Sequence, residues 1–549
     1  MQRREHMQQE WGQTKLPAVG RTRRLCVWSA AHAVEIVFAA IIAVEFVYLV
    51  RVGTRLYFSG DDWSLLRQSG SFRGMLAPFN NHPSVTILAL YRALFEVFGF
   101  SYGPFRVTAL LCLLAAPVAY FVTTRRLLTP PLAAVAALSL LSFSGLDLSP
   151  SWLNHYLVLV GGIICAAALN RGRRADWVLA GALAFSLSAA GGGVAVAAAC
   201  VVHNVCTRAS LRRWLVVLGP VALWGVWKLA SGDDQRRKVP FSESLRFAGD
   251  VAVSPFGHLG LGNTVLTAIL MIAFVGYGLW RLRQGLAVAS NFLAWTVALA
   301  VWTAGLAYSR GSYFLWLPGV QVDPSVRYVL LALGFVLLAV VPRRPIVWPT
   351  RFPIATDSRL ITASAVVILL LGVAGAMRIH DSVQARADQM SAATVGIQSG
   401  LVALGLGPEV IPDDFRMERF AFGWLTAGEA RTLLRRGGDP FPSTPATVDR
   451  YLVEVGGVTT TPVGRRDRKC ARLTEPIVRQ PNKFDFPLYL WSDQETWTIS
   501  VRRFGTDWVE VSESEANEVV QVNLPGLGFE EPWQVRADGA CVNGRWPPR

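Results

Sequence analysis

Apolar residues fall in long blocks along the first two thirds of this chain. Between residues 33 and 376, runs of about 15 to 20 nearly uncharged residues recur, separated by short polar or basic stretches. A helix that crosses a bilayer needs about 20 apolar residues. Most of the runs show no polar face, which separates them from amphipathic surface helices. The pattern predicts spans at 33–50, 105–122, 132–148, 156–169, 214–230, 264–279, 292–307, 327–342 and 360–376. The segment 177–205 is long for one helix, and Gly191-Gly192-Gly193 divides it into two short spans, about eleven in all. Residues 84–98 are apolar but carry Arg92 and Glu96, four apart and able to pair on one helix face. That piece is expected to lie at the outer interface. Residues 231–263 are expected to form a long loop.

The pattern changes near residue 380. Helical periodicity continues to about 440, and from about 447 it gives way to alternation. Residues 497–502, 508–511 and 519–523 alternate between Gly, Pro and Asp turns, as in a small β-sandwich. The expected organisation is an N-terminal tail (1–32), a polytopic α-helical membrane domain (33–379) with an outer loop at 51–104, and a C-terminal α+β domain (380–549).

Composition agrees. The 549 residues are 52% hydrophobic and only 17% charged, against about 25% charged in a soluble chain; mean hydropathy is +0.36. The net charge of +15 does not indicate nucleic acid as a partner, because the basic residues sit as short Arg clusters between apolar runs. The positive-inside rule produces that distribution. Arg3, Arg4, Lys15, Arg21, Arg23 and Arg24 place the tail in the cytoplasm. The clusters at 125, 173, 212, 281 and 343 then all fall on the cytoplasmic side. The loops holding Asp61, His155, Arg236 and Arg327 fall outside, as does the C-terminal domain. Residues 33–50 are too long for the apolar core of a cleavable signal.

The residues able to carry chemistry collect in the outer loops. Asp61 and Asp62 follow Gly60 and precede Trp63; they are either caps at a helix start or a general base with a neighbouring carboxylate, which leaves room for a divalent cation. His82, Asn154 and His155 are candidate substrate contacts, and Tyr328, next to Arg327, is a candidate phosphate contact. Arg236, Arg237, Lys238 and Arg327 are candidate phosphate contacts, the alternatives being a solvated loop and a snorkelling interface residue. Glu45 lies inside the first span, where an acid is costly and needs a partner or a cavity.

The order of these parts resembles the GT-C superfamily of integral membrane glycosyltransferases, which includes protein mannosyltransferases, aminoarabinose transferases and mycobacterial arabinosyltransferases. It runs from one span to Asp61-Asp62 in a long outer loop, then His82-Pro83, Phe98-Gly99, Arg106 opening the next span and Arg125-Arg126 closing it. The resemblance is clearest from Gly60 to about Asp147. It implies a sugar taken from a polyprenyl-phosphate donor outside the cytoplasmic membrane and passed to a glycan, lipid or protein acceptor. It implies Asp61 as the base that deprotonates the acceptor, with Arg327-Tyr328 on the donor phosphate. Many members carry His-Pro-Pro where this chain has His82-Pro83-Ser84; mannosyltransferases carry Asp-Glu at the acidic pair, and Asp61-Asp62 looks more like the arabinosyltransferases. Membrane transport and a non-catalytic glycan-binding scaffold remain the competing classes.

Of seven cysteines, only Cys470 and Cys541 fall in the C-terminal domain. They bracket its β-like part, and an external compartment permits a disulfide between them. No cysteine or histidine spacing suits zinc. Trp491, Trp497, Trp508 and Trp533 are either sandwich core or stacking surfaces for sugar rings.

Overall fold

The computed structural model describes residues 32–53, 58, 61–79, 82–141, 150–231, 241–260, 262–314 and 326–343. Beyond these it describes isolated positions from 377 to 414, residues 425–437 and eight strands between 459 and 543. The expected span 360–376, Arg236, Arg237, Lys238 and Cys470 lie outside the described residues. So does the side chain of Cys541.

Helix α1 (Ala33–Val52) is followed by three short helices, α2 (Asp61–Ser69), α3 (Phe72–Leu76) and α4 (Val85–Phe98). Then come α5 (Tyr102–Thr124), α6 (Pro130–Ser139), α7 (Leu153–Arg171), α8 (Asp176–Ala189), α9 (Gly192–Cys206) and α10 (Leu211–Ser231). Helices α11 (Phe241–Leu259), α12 (Thr264–Arg283), α13 (Leu286–Phe314) and α14 (Val326–Ala339) follow. Among the described residues, six stretches are long and apolar enough to cross a membrane, one of them the continuous run Pro150–Ala189; three shorter apolar helices accompany them. The α8–α9 division falls where expected, at Ala190–Gly191, and the two short helices pack against each other.

Exposure is distributed as a lipid solvent demands. On α10, Leu215, Leu218, Leu223, Val226 and Leu229 are exposed; on α12, Val265, Ile269, Ile272, Val275 and Leu279 are. In water, apolar faces of that extent would be covered. The centre of the bundle is α9 against α13. Small buried residues on both, Ala195, Ala199 and Cys200 facing into a core that includes Ala294 and Ala298, allow the close approach typical of membrane helices.

Two expectations are corrected. The region read as a loop at 231–263 contains α11, which buries Phe247, Val251 and Phe256 and packs on α12, α13 and α14. Its apolar positions are spaced by three to five residues among Glu243, Arg246 and Asp250, so the charges concealed an amphipathic helix. And Glu96 does not settle on Arg92: its carboxylate pairs with Arg436, Nη2 to Oε1 3.0 Å.

In the C-terminal region, α15 (Ala427–Gly437) precedes eight strands: β1 (Thr459–Arg465), β2 (Ile477–Arg479), β3 (Leu488–Trp491), β4 (Thr496–Arg503), β5 (Val509–Glu515), β6 (Glu518–Asn523), β7 (Trp533–Ala537) and β8 (Cys541–Asn543). They form two antiparallel sheets, ordered β1-β6-β3-β8 and β2-β7-β4-β5. Strand β5 of one sheet lies against β1 and β6 of the other. Trp497, Ile499 and Val501 alternate inward on β4 and are buried, so Trp497 is core and not a stacking surface.

Candidate functional site

Helix α2 starts at Asp61, so both carboxylates occupy its first turn, where the helix dipole favours negative charge. Successive helical residues are about 100° apart, and the two acids meet different surroundings. Asp61 is half-buried, whereas Asp62 is 0% exposed. The hydroxyl of Tyr91 on α4 donates to Asp62 Oδ1 at 2.7 Å, a charge-assisted bond in a dry setting. Burial first, then the charge of Asp62, holds the Tyr91 phenol well above its ordinary value and so protonated.

An aromatic nest supplies that setting. The Phe58 ring lies 5.5 Å from Trp63, 4.9 Å from Tyr102 and 5.0 Å from Phe105. Tyr91 lies edge-on to Phe105 at 5.3 Å, and Phe95 and Phe100 extend the cluster. The Trp63 indole N–H donates to the Phe58 carbonyl at 3.2 Å. These rings exclude water from Asp62 and fix α2 against α4 and α5.

The other sequence candidates lie at the same end of the bundle. Helix α2 touches the 3-10 turn Pro150–Trp152, which leads directly into Asn154 and His155 on α7. Asn154 Oδ1 meets the His155 ring at Nδ1, 2.5 Å away. His155 is buried and faces Tyr328 at 5.8 Å and Trp302 at 6.2 Å between ring centroids. The Trp302 indole donates to the Tyr328 carbonyl at 3.1 Å. Arg327 sits in the first turn of α14, and its side chain lies outside the described residues.

His82 joins this arrangement through the α8–α9 turn. Its backbone exchanges two hydrogen bonds with Phe79, both 3.0 Å, and its ring lies on Gly191. A Cβ on Gly191 would stand 2.5 Å from His82 Cε1, and one on Gly192 would stand 3.4 Å from the Trp302 ring. Gly191 leaves room for the His82 ring and Gly192 for the Trp302 ring. His82 does not cap α4, whose N-cap is Ser84.

Beside His82 a cavity of about 240 Å³ opens between the start of α4, α8 and α10, lined by Pro83, Val85, Leu187, Leu223, Trp224 and Trp227 among others. Its one polar lining residue, Ser188, shares a hydrogen bond with Thr86 at 2.6 Å. The cavity can take hydrocarbon and offers nothing to an ion.

Two further sequence candidates stand apart from this group. Arg106 is buried against Gly53, with its Cδ 2.7 Å from where a Gly53 Cβ would be, and among the described residues its Nε has no hydrogen-bond partner. Glu45 is buried in α1, and among the described residues nothing bonds its Oε2. Among the described residues no three His, Cys, Asp or Glu side chains gather, and Asp62 Oδ1 accepts from Tyr91. Tyr91 and Trp302 are the residues that sequence reasoning missed. Tyr91 stands one position before Arg92 in a run read only for its membrane affinity.

Comparison with known proteins adds little. No family model and no curated protein matches this chain. Among solved structures, the crystal structure of ArnT from Cupriavidus metallidurans bound to undecaprenyl phosphate is 16% identical, covering 74% of this chain and 71% of that chain. Its TM-score is 0.27, too low to carry an argument about this one.

Proposed function

We propose that this chain is a membrane glycosyltransferase of GT-C type, moving a sugar from a polyprenyl-phosphate donor to a hydroxyl group of an acceptor outside the cytoplasmic membrane. The observation that carries the reading is the unequal acid pair. Asp62 is sealed and held by Tyr91; Asp61, beside it, is half-buried and reachable. In this reading Asp61 is the catalytic base and Asp62 the positioning residue that fixes the first turn of α2.

The acceptor oxygen attacks the anomeric carbon, its proton passes to Asp61, and the bond from that carbon to the phosphate oxygen breaks. The polyprenyl phosphate leaves with the electron pair. A positioned base of this kind contributes roughly 10² to 10⁴ in rate. In this reading the apolar cavity beside His82 takes the first isoprene units of the donor, and Arg327 and Tyr328 bind its phosphate.

The test is sugar transfer in proteoliposomes from a radiolabelled polyprenyl-phosphate sugar, comparing wild type with Asp61→Asn. Loss of transfer in a variant that inserts and elutes normally supports the reading. Transfer at the wild-type rate refutes the assignment of Asp61, and solute uptake without transfer refutes the class.

A further inference from the structure

Helix α15 lies about 360 residues beyond α2 yet is bonded to both helices that make the Asp62–Tyr91 contact. Arg67 on α2 donates from Nη1 to Glu429 Oε1 at 2.7 Å. Arg436 donates from Nη2 to Glu96 on α4 at 3.0 Å, with its guanidinium 5.2 Å from the Phe95 ring centre. Each of these partners stands five positions after the group it serves, Arg67 after Asp62 and Glu96 after Tyr91.

Backbone fit reinforces the ion pairs. Gly99, at φ +55°, would bring a Cβ within 2.8 Å of the Gly437 carbonyl, and a Cβ on Gly437 would stand 2.5 Å from Phe100 and 2.6 Å from Phe95. Phe95 and Phe100 belong to the aromatic nest around the acid. The end of α15 is therefore seated on the wall of that nest.

Glu429 is committed twice. Its Oε2 accepts from the Thr426 amide at 3.0 Å while Thr426 Oγ1 accepts from the Glu429 amide at 3.4 Å, the reciprocal capping box that starts a helix. Its other oxygen holds Arg67. Arg431 ties the same helix to Asp413 and, from Nε, to the Leu404 carbonyl at 3.3 Å.

We propose that α15 is a positioning clamp for the acid centre: Arg67, Glu429, Glu96 and Arg436 fix α2 against α4 and thereby set the Asp62–Tyr91 contact. Its effect on catalysis rests on the function proposed above; its effect on α2 does not. Both pairs reach solvent, so the clamp weakens with ionic strength.

The experiment is hydrogen–deuterium exchange on the full chain in lipid nanodiscs, run beside steady-state transfer. The variants are Arg67→Glu, Glu429→Gln (which keeps the cap and removes the charge), Glu96→Arg, Arg436→Glu and the swap Glu96→Arg with Arg436→Glu. Amides of residues 61–69 and 91–98 are expected to exchange about five- to tenfold faster in each single charge reversal, and about twofold faster in Glu429→Gln. The reversals should lower kcat by a similar factor and leave the donor KM within about twofold. The swap should restore both exchange and kcat. Unchanged exchange in the single reversals, or faster exchange that the swap does not correct, overturns the clamp. If wild type transfers no sugar while exchange follows the expected pattern, the function is refuted and the clamp stands.

Discussion

The helical bundle has two polar ends, and they treat charge differently. At the arginine-rich end, cations are spent on helix ends. Arg213 donates from Nη2 to the Ala168 and Leu169 carbonyls at 2.9 and 3.0 Å, closing the C-terminus of α7. Arg212 pairs with the buried Asp176 at the start of α8, 3.2 Å. Arg343 donates to the Ala287 carbonyl and Arg281 to that of Val288. At the acidic end the buried charge meets a phenol, lies among aromatic rings, and has a half-buried acid and an apolar cavity for neighbours. Carbonyl-satisfied cations are fixed in one state. At the other end a reachable carboxylate stands beside a sealed one. Under the proposed function, the comparison separates a structural end from a chemical one.

Substitutions can break that comparison, and they rank by expected effect. Asp61→Ala should lower transfer by at least about 10²-fold with folding intact, read as labelled product per inserted protein. Tyr91→Phe removes the hydroxyl that donates to the sealed Asp62, which costs about 1 to 3 kcal/mol; thermal unfolding in detergent should show it, with transfer reduced about tenfold. The same variant has a pH signature. Because the phenol is held above its ordinary value near 10, the folded state keeps a proton that the unfolded state gives up. Its contribution is complete below pH 10 and is lost as pH rises beyond it. Wild type should therefore lose stability above pH 10 more steeply than Tyr91→Phe.

Gly191→Ala forces His82 from its place, where a Cβ would be 2.5 Å from the ring. Transfer should fall several-fold, about threefold to tenfold, with a matching rise in donor KM. At the opposite end, Arg213→Ala should reduce stability by about 1 to 3 kcal/mol and leave kcat per folded molecule unchanged. A fall in kcat there would erase the distinction between the ends.

Much of the helical order was legible because apolar runs in a lipid solvent leave few alternatives. The division at Gly191 was legible for the same reason. Helix α11 was not, because Glu243, Arg246 and Asp250 look like loop charge until Phe247, Val251 and Phe256 are seen as one buried stripe. The Arg92–Glu96 expectation used a local rule worth a few tenths of a kcal/mol, and a distant guanidinium stacked on Phe95 outweighed it. Asp61 and Asp62 could be picked out as a pair from the sequence. Which of them is buried could not, since adjacent helical positions look alike until the partner helix carrying Tyr91 is placed. His155 and Tyr328 were both named, but their meeting through Trp302 depends on α7, α13 and α14 converging, which no spacing in the chain encodes.

The two commitments of Glu429 also bear on biosynthesis. Its partner Arg67 leaves the ribosome 362 residues earlier. At about 5 to 20 residues per second, the acidic helix waits roughly 20 to 70 s for the carboxylate that secures it. The nascent membrane domain therefore carries its acid pair without this tether until the chain has been extended past Glu429.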